Sequence, residues 1–220
     1  MDRKEIIVNG ETLTLDPSGA LWWPQMRSLV FADLHFEKGS AYARTGQLLP
    51  PYDTRSTLKR IEKLCAQYAP ETVVALGDSF HDRESHMRLD AYERDVLARL
   101  GDEARWIWIA GNHDPALPAW LNGRIAQEIA LGSLIFRHEP SPLIGKGEIA
   151  GHLHPCARVT RRGHTLRRRC FVSDGMRLLL PAFGAYAGGL DVRDRAVRSL
   201  FEENFLAYVL GARRVYAIAA

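Results

Sequence analysis

The 220-residue sequence has few cysteines and no long apolar stretch. Its cysteines are Cys65, Cys156 and Cys170, an odd and sparse set that argues against a disulfide framework and favours a reducing compartment. No run approaches the roughly 18 consecutive apolar residues of a membrane-spanning helix. With 46% hydrophobic and 25% charged residues, the composition also excludes a mainly disordered chain. We therefore expect a cytoplasmic protein without a membrane partner, folded as a single domain over residues 1–220.

Acidic residues are missing from one segment, residues 155–173. This segment carries six arginines: Arg158, Arg161, Arg162, Arg167, Arg168 and Arg169. The net charge of the whole chain is only +3, so the remainder is net negative and the basic character is local. Because arginine forks match phosphate geometry, the segment is a candidate DNA-binding surface. A solvated strand face is the alternative that the sequence leaves open.

Apolar runs and helical periodicity alternate in the first half of the chain. Residues 28–31, 72–76 and 106–110 are predicted strands, and an Asn9-Gly10 turn predicts a hairpin before them. Helices are predicted from Asp53, capped by Asp53 or Thr54, to Pro70 and over residues 85–100, ending at Gly101. Residues 39–51 are predicted as a loop, and the second half as mostly short strands. This alternation indicates parallel strands joined by crossover helices, and hence an α/β fold.

Polar clusters follow the predicted strands. They are Asp33-Leu34-His35, Gly77-Asp78, Gly111-Asn112-His113-Asp114, His138 and Gly151-His152-Leu153-His154. Histidine and carboxylate are the usual protein ligands of borderline divalent metals. In extended strands, residues i and i+2 project to the same side. Asp33 with His35, and His152 with His154, are therefore each expected to direct two ligands into one small volume. Ligands in open α/β sheets bind beyond the carboxyl ends of strands, which predicts that the clusters converge there.

Together these clusters resemble the five motifs of the calcineurin-like metallophosphoesterase superfamily, and they span residues 33–154. The segments 31–39, 77–82 and 181–189 also resemble the PdeM family of bacterial ligase-associated DNA damage response phosphoesterases. The resemblance implies a four-layer αββα sandwich of two mixed β-sheets flanked by helices. It implies a metal-dependent phosphodiesterase, a hydrolase whose expected substrate is DNA, acting as an endonuclease in bacterial DNA repair.

Carried over residue by residue, the resemblance implies two divalent metal ions. Asp33, His35 and His154 would hold the first, Asn112, His138 and His152 the second, and Asp78 would bridge both. A hydroxide between the metals would attack phosphorus while His113 assists the leaving group and Asp114 orients the His113 ring. The donor set suits Mn²⁺, Fe²⁺ or Zn²⁺, and the resemblance favours Mn²⁺. His81 and Asp82 are either pocket-lining residues or ordinary loop residues.

Two alternatives stay open at this point. One is a small-molecule phosphoesterase acting on nucleotides, cyclic nucleotides or dinucleoside polyphosphates. The other is a non-catalytic binding subunit of a repair complex, with a DNA ligase or a helicase as its partner. The sequence contains no visible docking motif for such a partner, and a homodimer is compatible with it.

Overall fold

The computed structural model describes residues 2–143, 147–161, 163–201 and 204–220, and these residues build two β-sheets. The first sheet consists of β1 (Lys4–Val8), β2 (Glu11–Leu15), β3 (Leu21–Trp23), β4 (Ser28–Ala32), β5 (Thr72–Leu76), β6 (Arg105–Ile109) and β7 (Arg124–Ala126). Its strand order is β1-β2-β3-β4-β5-β6-β7. The strands from β1 to β4 pair antiparallel, and those from β4 to β7 pair parallel.

The second sheet is also mixed. It consists of β8 (Glu128–Leu131), β9 (Leu134–Arg137), β10 (Glu148–Ala150), β11 (Cys156–Arg161), β12 (His164–Ser173), β13 (Arg177–Leu179), β14 (Leu206–Leu210) and β15 (Val215–Ala219). The order is β15-β14-β12-β13-β10-β9-β8, and β11 pairs with β12 beside this path. β9, β10 and β13 are parallel, whereas the other pairs are antiparallel.

The central strands of the first sheet are buried on both faces. In β4, Val30 and Ala32 point into the core between the two sheets, where they meet residues such as Phe136 and Ile149 of the second sheet. Leu29 and Phe31 of β4 point outward into a second apolar cluster. Because successive side chains alternate in direction, a strand covered on both sides reads as a continuous apolar run. This is why these strands are predictable from sequence.

Helices lie on the outer faces of both sheets. The helices are α1 (Lys38–Arg44), α2 (Asp53–Tyr68), α3 (Ser85–Arg88), α4 (Ala91–Glu103) and α5 (Arg195–Arg198). Leu58 and Ile61 of α2 and Val96 of α4 pack on the outer apolar cluster of that sheet. On the second sheet, Val197 of α5 and Phe201 cover the outer face, so the fourth layer is thin. The predicted fold class, two mixed sheets flanked by helices, is confirmed.

The single helix predicted over residues 85–100 is wrong, because the structure has α3 and α4 instead. Asp90 restarts the helix with a capping box: its side chain accepts from the Glu93 N–H (2.8 Å), and the Glu93 side chain accepts from the Asp90 N–H (3.0 Å). The predicted stop at Gly101 is also wrong, since α4 continues to Glu103. A Cβ on Gly101 would lie 2.6 Å from Asn122 Cβ, so close packing explains the glycine.

The predicted loop over residues 39–51 begins with α1 instead. The sequence predicts that Asp53 or Thr54 caps α2, but neither side chain does so. Both hold the start of α1 instead. Asp53 Oδ2 accepts from the Gly39 N–H (3.0 Å), and Thr54 Oγ1 accepts from the Glu37 N–H (2.8 Å). A contact across 14 to 17 residues therefore takes the place of the local cap.

Cys65, Cys156 and Cys170 are free thiols. Burial raises the pKa of Cys65 to about 12, so this thiol is protonated at neutral pH. Within the described residues, no helix is both long enough and apolar enough to cross a membrane.

Candidate metal centre and catalytic residues

The five polar clusters lie where parallel strands of both sheets end. In the first sheet, β4, β5 and β6 lead into Asp33, Asp78 and residues 111–114. In the second sheet, β9 and β10 lead into His138 and His152. The two edges meet, because the His152 N–H donates to Asp33 Oδ2 (3.0 Å). The structure therefore brings the predicted clusters together at one edge of the sandwich.

Two glycines permit this close approach. Gly77 has φ = +69°, and a Cβ there would lie 2.4 Å from the His138 ring. A Cβ on Gly111 would lie 2.2 Å from the Asp78 backbone nitrogen. Both distances are shorter than any side chain tolerates, so only glycine fits between these ligand-bearing segments.

The backbone of five of the seven candidate ligands is left-handed rather than extended. Positive φ angles occur at Asp33 (53°), His35 (45°), Asp78 (46°), His152 (68°) and His154 (47°). The expectation that strand alternation directs the side chains of Asp33 and His35, and of His152 and His154, to one side is therefore wrong. Tight turns aim them instead, at a cost of roughly 1–2 kcal/mol per residue for a non-glycine side chain. Such clustered strain is typical of sites where surrounding contacts enforce a particular geometry.

The first group that could hold a metal consists of Asp33, His35 and His154. Asp33 is fully buried, and its Oδ1 lies 3.3 Å from His154 Nε2. His35 Nε2 also lies 3.3 Å from His154 Nε2. Burial and the nearby His154 lower the pKa of His35 to about 2, so its ring is neutral and can donate a lone pair.

The second group consists of Asp78, His138 and His152. His138 Nε2 lies 3.4 Å from Asp78 Oδ2 and 3.2 Å from His152 Nδ1, while its Nδ1 lies 2.9 Å from the Leu76 carbonyl oxygen, which can only accept. Burial opposes protonation of His138, but Asp78 and Asp33 outweigh it and raise the pKa to about 9. Burial likewise opposes ionisation of Asp78, but its contacts with His138 leave the pKa of the carboxyl lowered.

The donor set fits divalent metal ions. Imidazole nitrogens of two buried and two half-buried histidines face one another and two buried carboxylates, an arrangement that positive charge between them would stabilise. The raised pKa of His138 has the same cause, since a proton there supplies charge opposite Asp33 and Asp78. His35 Nδ1 is buried and has no hydrogen-bond partner among the described residues. The nitrogen and oxygen ligands contain no thiolate and suit Mn²⁺, Fe²⁺ or Zn²⁺.

Asn112, the remaining predicted ligand, lies beside the second group. It is exposed, and together with His138 it lines a surface cleft of about 380 Å³. This part of the edge is therefore accessible from solvent.

His113 and His81 form a second layer beside the first group. Their rings stack with centroids 5.3 Å apart, and His35 stands edge-on to both. His113 Nδ1 lies 2.6 Å from the His81 carbonyl oxygen, so this nitrogen is the one that donates there. His113 Nε2 lies 4.0 Å from Asp78 Oδ2. Burial lowers the pKa of His81 to about 4. Tyr42, which sequence reasoning missed because its segment was predicted as a loop, stacks on His81 at 5.8 Å.

The predicted role of Asp114 needs correction. Asp114 does not orient the His113 ring, because both carboxylate oxygens are occupied by backbone N–H groups. Oδ1 accepts from Asp78 (3.1 Å) and Gly111 (3.0 Å), and Oδ2 accepts from Ser79 (2.7 Å) and Phe80 (3.0 Å). The carboxylate therefore fastens two ligand-bearing loops to each other, and the His81 carbonyl takes over the orienting role. Asp82, the neighbour of His81, pairs with Arg88 (2.6 Å).

The six predicted DNA-binding arginines separate in the structure. Arg162 and the side chain of Arg161 lie outside the described residues. Arg169 is half-buried, and its Nη1 donates to the Ala182 (2.7 Å) and Gly184 (3.2 Å) carbonyl oxygens. The structure therefore assigns Arg169 to holding the adjacent loop, which corrects its place in the predicted set. Arg158, Arg167 and Arg168 are exposed on β11 and β12.

The fold and this edge define a metallophosphoesterase. A family model described as calcineurin-like phosphoesterase matches residues 26–190, and the chain belongs to that family. It is accordingly a metal-dependent hydrolase of phosphate esters, with divalent metal ions as the cofactor class. The resemblance seen in the motifs is confirmed.

Solved structures of other proteins are similar to the chain. The nuclease MPE of Pseudomonas putida shares 29% identity and a TM-score of 0.79, and the match covers 99% of this chain and 100% of that protein. YfcE, a phosphoesterase from E. coli, shares 15% identity and a TM-score of 0.45 over 87% of this chain and 98% of its own. No curated protein sequence matches the chain.

Proposed function

We propose that this hydrolase is a two-metal phosphodiesterase that cleaves DNA as an endonuclease, and that residues 1–220 form one catalytic domain. The observation that carries the proposal is that two clusters, each of two histidines and one aspartate, converge at one edge of the sandwich with His113 beside them. The likeness to a nuclease over the whole chain supports a nucleic acid as the substrate. The exposure of Asn112 and His113 supports a large substrate over one that must be enclosed.

In this proposal, Asp33, His35 and His154 hold one metal ion. Asn112, His138 and His152 would hold the other, and Asp78 would contribute to both sites. The two groups adjoin, because Asp33 Oδ1 lies 3.8 Å from His138 Nδ1. When bound, two divalent cations lower the pKa of coordinated water towards neutrality and stabilise both the attacking and the leaving oxygen of an in-line displacement. Mn²⁺ is the proposed ion, with Fe²⁺ and Zn²⁺ as alternatives.

His113 is the proposed general acid. Its Nδ1–H donates to the His81 carbonyl oxygen, which holds the ring in place and leaves Nε2 directed towards Asp78. The side chain is 46% exposed, so a substrate oxygen can reach it. As the P–O bond breaks, the Nε2 proton passes to the leaving oxygen and a neutral imidazole remains. A positioned acid of this kind contributes about 10²–10⁴-fold to the rate.

The test is a substrate panel with Mn²⁺-loaded protein. The panel contains a chromogenic phosphodiester, a phosphomonoester, cyclic nucleotides, dinucleoside polyphosphates, and closed circular, single-stranded and duplex DNA. We expect cleavage of the diester and nicking of circular DNA, both abolished in Asp78→Asn. Cleavage restricted to nucleotides would favour a small-molecule phosphoesterase. Tight metal binding without hydrolysis of any member would favour a non-catalytic binding subunit.

We further propose that the enzyme serves DNA repair in the cytoplasm, with a DNA ligase or a helicase as partner. The motif resemblance to ligase-associated phosphoesterases and the free cysteines support this setting. Sedimentation of the protein alone and with a DNA ligase tests both a homodimer and this partnership. Unchanged sedimentation in the mixture would contradict the ligase partnership.

A further inference from the structure

Lys38, the first residue of α1, carries an ammonium group on a buried side chain. The residue is only 9% exposed, and burial lowers the pKa of its ammonium. Its contact with the Tyr42 ring is weak, since Nζ lies 5.9 Å from the ring centroid. Among the described residues, Nζ has no hydrogen bond and no ion pair. Because a buried charge is costly unless it is paired, this ammonium needs an anion.

The acidic side chains around the start of α1 have other partners. Glu37 Oε1 accepts from the Thr54 hydroxyl (2.9 Å), and Asp53 Oδ2 accepts from the Gly39 N–H (3.0 Å). Asp53 acts on Lys38 from beyond ion-pair distance and only partly offsets the effect of burial. Within the part of the chain that the structure describes, no carboxylate therefore pairs with Lys38.

Lys38 lies beside the layer of histidines that adjoins the first metal group. Tyr42, whose ring Lys38 approaches, stacks on His81 at 5.8 Å, and His81 stacks on His113 at 5.3 Å. Burial, together with the nearby Lys38 ammonium, lowers the pKa of His81 to about 4. The ammonium is therefore on the side of the centre where His113 is exposed.

An anion fits this position better than a third metal ion. By donor type and spacing alone, His35, His81 and His113 could hold a cation. The Lys38 ammonium would repel that cation and attract a group of opposite charge. Asp82, which follows His81, is already in an ion pair. The uncompensated charge is therefore positive, and phosphate is the anion that the substrate of a phosphoesterase brings to the centre.

We propose that Lys38 binds the phosphate that neighbours the cleaved one on the leaving-group side of a polynucleotide. The inference rests on the proposed function of the centre as a DNA phosphodiesterase. His113 is the residue proposed to protonate the leaving oxygen, and His81 and Tyr42 lie between it and Lys38. Lys38 is therefore displaced from the cleaved phosphate towards the departing strand. A diester with a single phosphate leaves this ammonium unpaired, whereas a polynucleotide pairs it.

The test measures what a second phosphate adds to cleavage by the Mn²⁺-loaded protein. The reference substrate is a thymidine dinucleotide with one internal phosphodiester, and two further substrates carry a terminal phosphate on its 5′ or its 3′ end. For the wild type, we expect one of the terminal phosphates to raise kcat/KM for the internal bond by roughly 10-fold, as a hydrogen bond to a charged group does. Lys38→Met removes the ammonium and keeps an unbranched apolar stem, so it is expected to lose this gain.

Controls separate phosphate binding from a structural role of Lys38. Lys63→Met removes an exposed lysine of α2 and is expected to keep the gain. Lys38→Arg keeps the charge and is expected to keep most of the gain. The Tm of Lys38→Met is expected to be no lower than that of the wild type, because the variant removes a buried charge without a partner.

Several results would overturn the proposal. A gain that persists in Lys38→Met shows that another group binds the neighbouring phosphate. An equal loss on all three dinucleotides, with or without a lower Tm, places Lys38 at the cleaved phosphate or in support of the fold. A loss of the gain in Lys63→Met as well shows that the effect is not local to Lys38.

A binding experiment keeps this inference separate from the proposed function. If the loaded protein cleaves neither the dinucleotides nor DNA, the proposed function fails; if it cleaves DNA alone, that function stands. In both cases, calorimetric titration with thymidine 3′,5′-bisphosphate and with the two thymidine monophosphates tests Lys38. We expect the wild type to bind the bisphosphate roughly 10-fold more tightly than either monophosphate, and Lys38→Met to lose this difference. An equal difference in the variant overturns the proposal.

Discussion

The substitution Asp114→Asn distinguishes two possible roles of this carboxylate. Asp114 either fastens two loops to each other or orients the ring of His113. In the structure, Asp114 is buried and accepts four backbone N–H groups, two on each oxygen, from residues 78–80 and Gly111. An asparagine side chain has one acceptor oxygen and one NH₂ donor group. In either orientation of the amide, two of the four N–H groups face a donor and lose their partner.

The expected loss of stability is large. Each buried donor left without a partner costs about 1–3 kcal/mol, so two cost about 4 kcal/mol. That is a substantial part of the roughly 5–15 kcal/mol by which a folded protein is stable. For a chain of 150–250 residues, Tm falls by about 2–4 °C per kcal/mol, which gives a decrease of about 8–16 °C. Because the loops that carry Asp78 and Asn112 separate, metal content is expected to fall as well.

The assay is thermal unfolding by circular dichroism together with metal analysis, at pH 8. Burial raises the pKa of Asp114 to about 6, so the carboxylate is ionised at this pH. Asp194→Asn is the matched control, since this exposed carboxylate accepts the Ala196 N–H (2.9 Å) at the start of α5, and asparagine caps helices equally well. A normal Tm and metal content with slow turnover would refute the fastening role and restore the orienting one.

The remaining predictions concern the metal centre. Asp78→Asn removes a charge that two cations are proposed to share, so metal content and diester cleavage are expected to fall together; two tightly held ions with normal turnover would contradict that proposed role. His113→Ala is expected to keep both metals and to lose about 10²–10⁴-fold in rate, most for poor leaving groups, in a leaving-group series. Equal losses on activated and unactivated diesters would exclude the acid role. Gly77→Ala places a Cβ 2.4 Å from the His138 ring and is expected to lower metal affinity in calorimetric titration, whereas Gly46→Ala (φ = +81°) meets no atom within 4 Å and controls for backbone strain. Equal effects of the two glycine variants would show that the contact with His138 is unimportant.

The strands that build the metal edge are the most predictable part of the fold. β4, β5 and β6 are buried on both faces, so burial alone selects their apolar residues. The sequence does not predict β3, β7, β8 and β11, because short or half-exposed strands leave little periodicity; β7, for example, has two exposed residues of three. It also does not predict β14, although four of the five residues of this strand are buried. The loop predicted at residues 39–51 failed for another reason, since α1 is held by Asp53 and Thr54 from the next helix.

The sequence by itself determined which candidate ligands the centre contains, because their donor atoms belong to side chains and their spacing is local. Histidines and carboxylates after apolar runs, with glycines before them, predict a metal site without reference to the rest of the chain. Tertiary structure alone decided how these groups meet. The left-handed turns at Asp33 and His154, the bonds of Asp114 to residues 78–80, and the contacts of Arg167 and Arg169 with residues 182–189 depend on segments distant in sequence. Such contacts depend on the pairing of strands and loops, which a residue's neighbours in the chain do not specify.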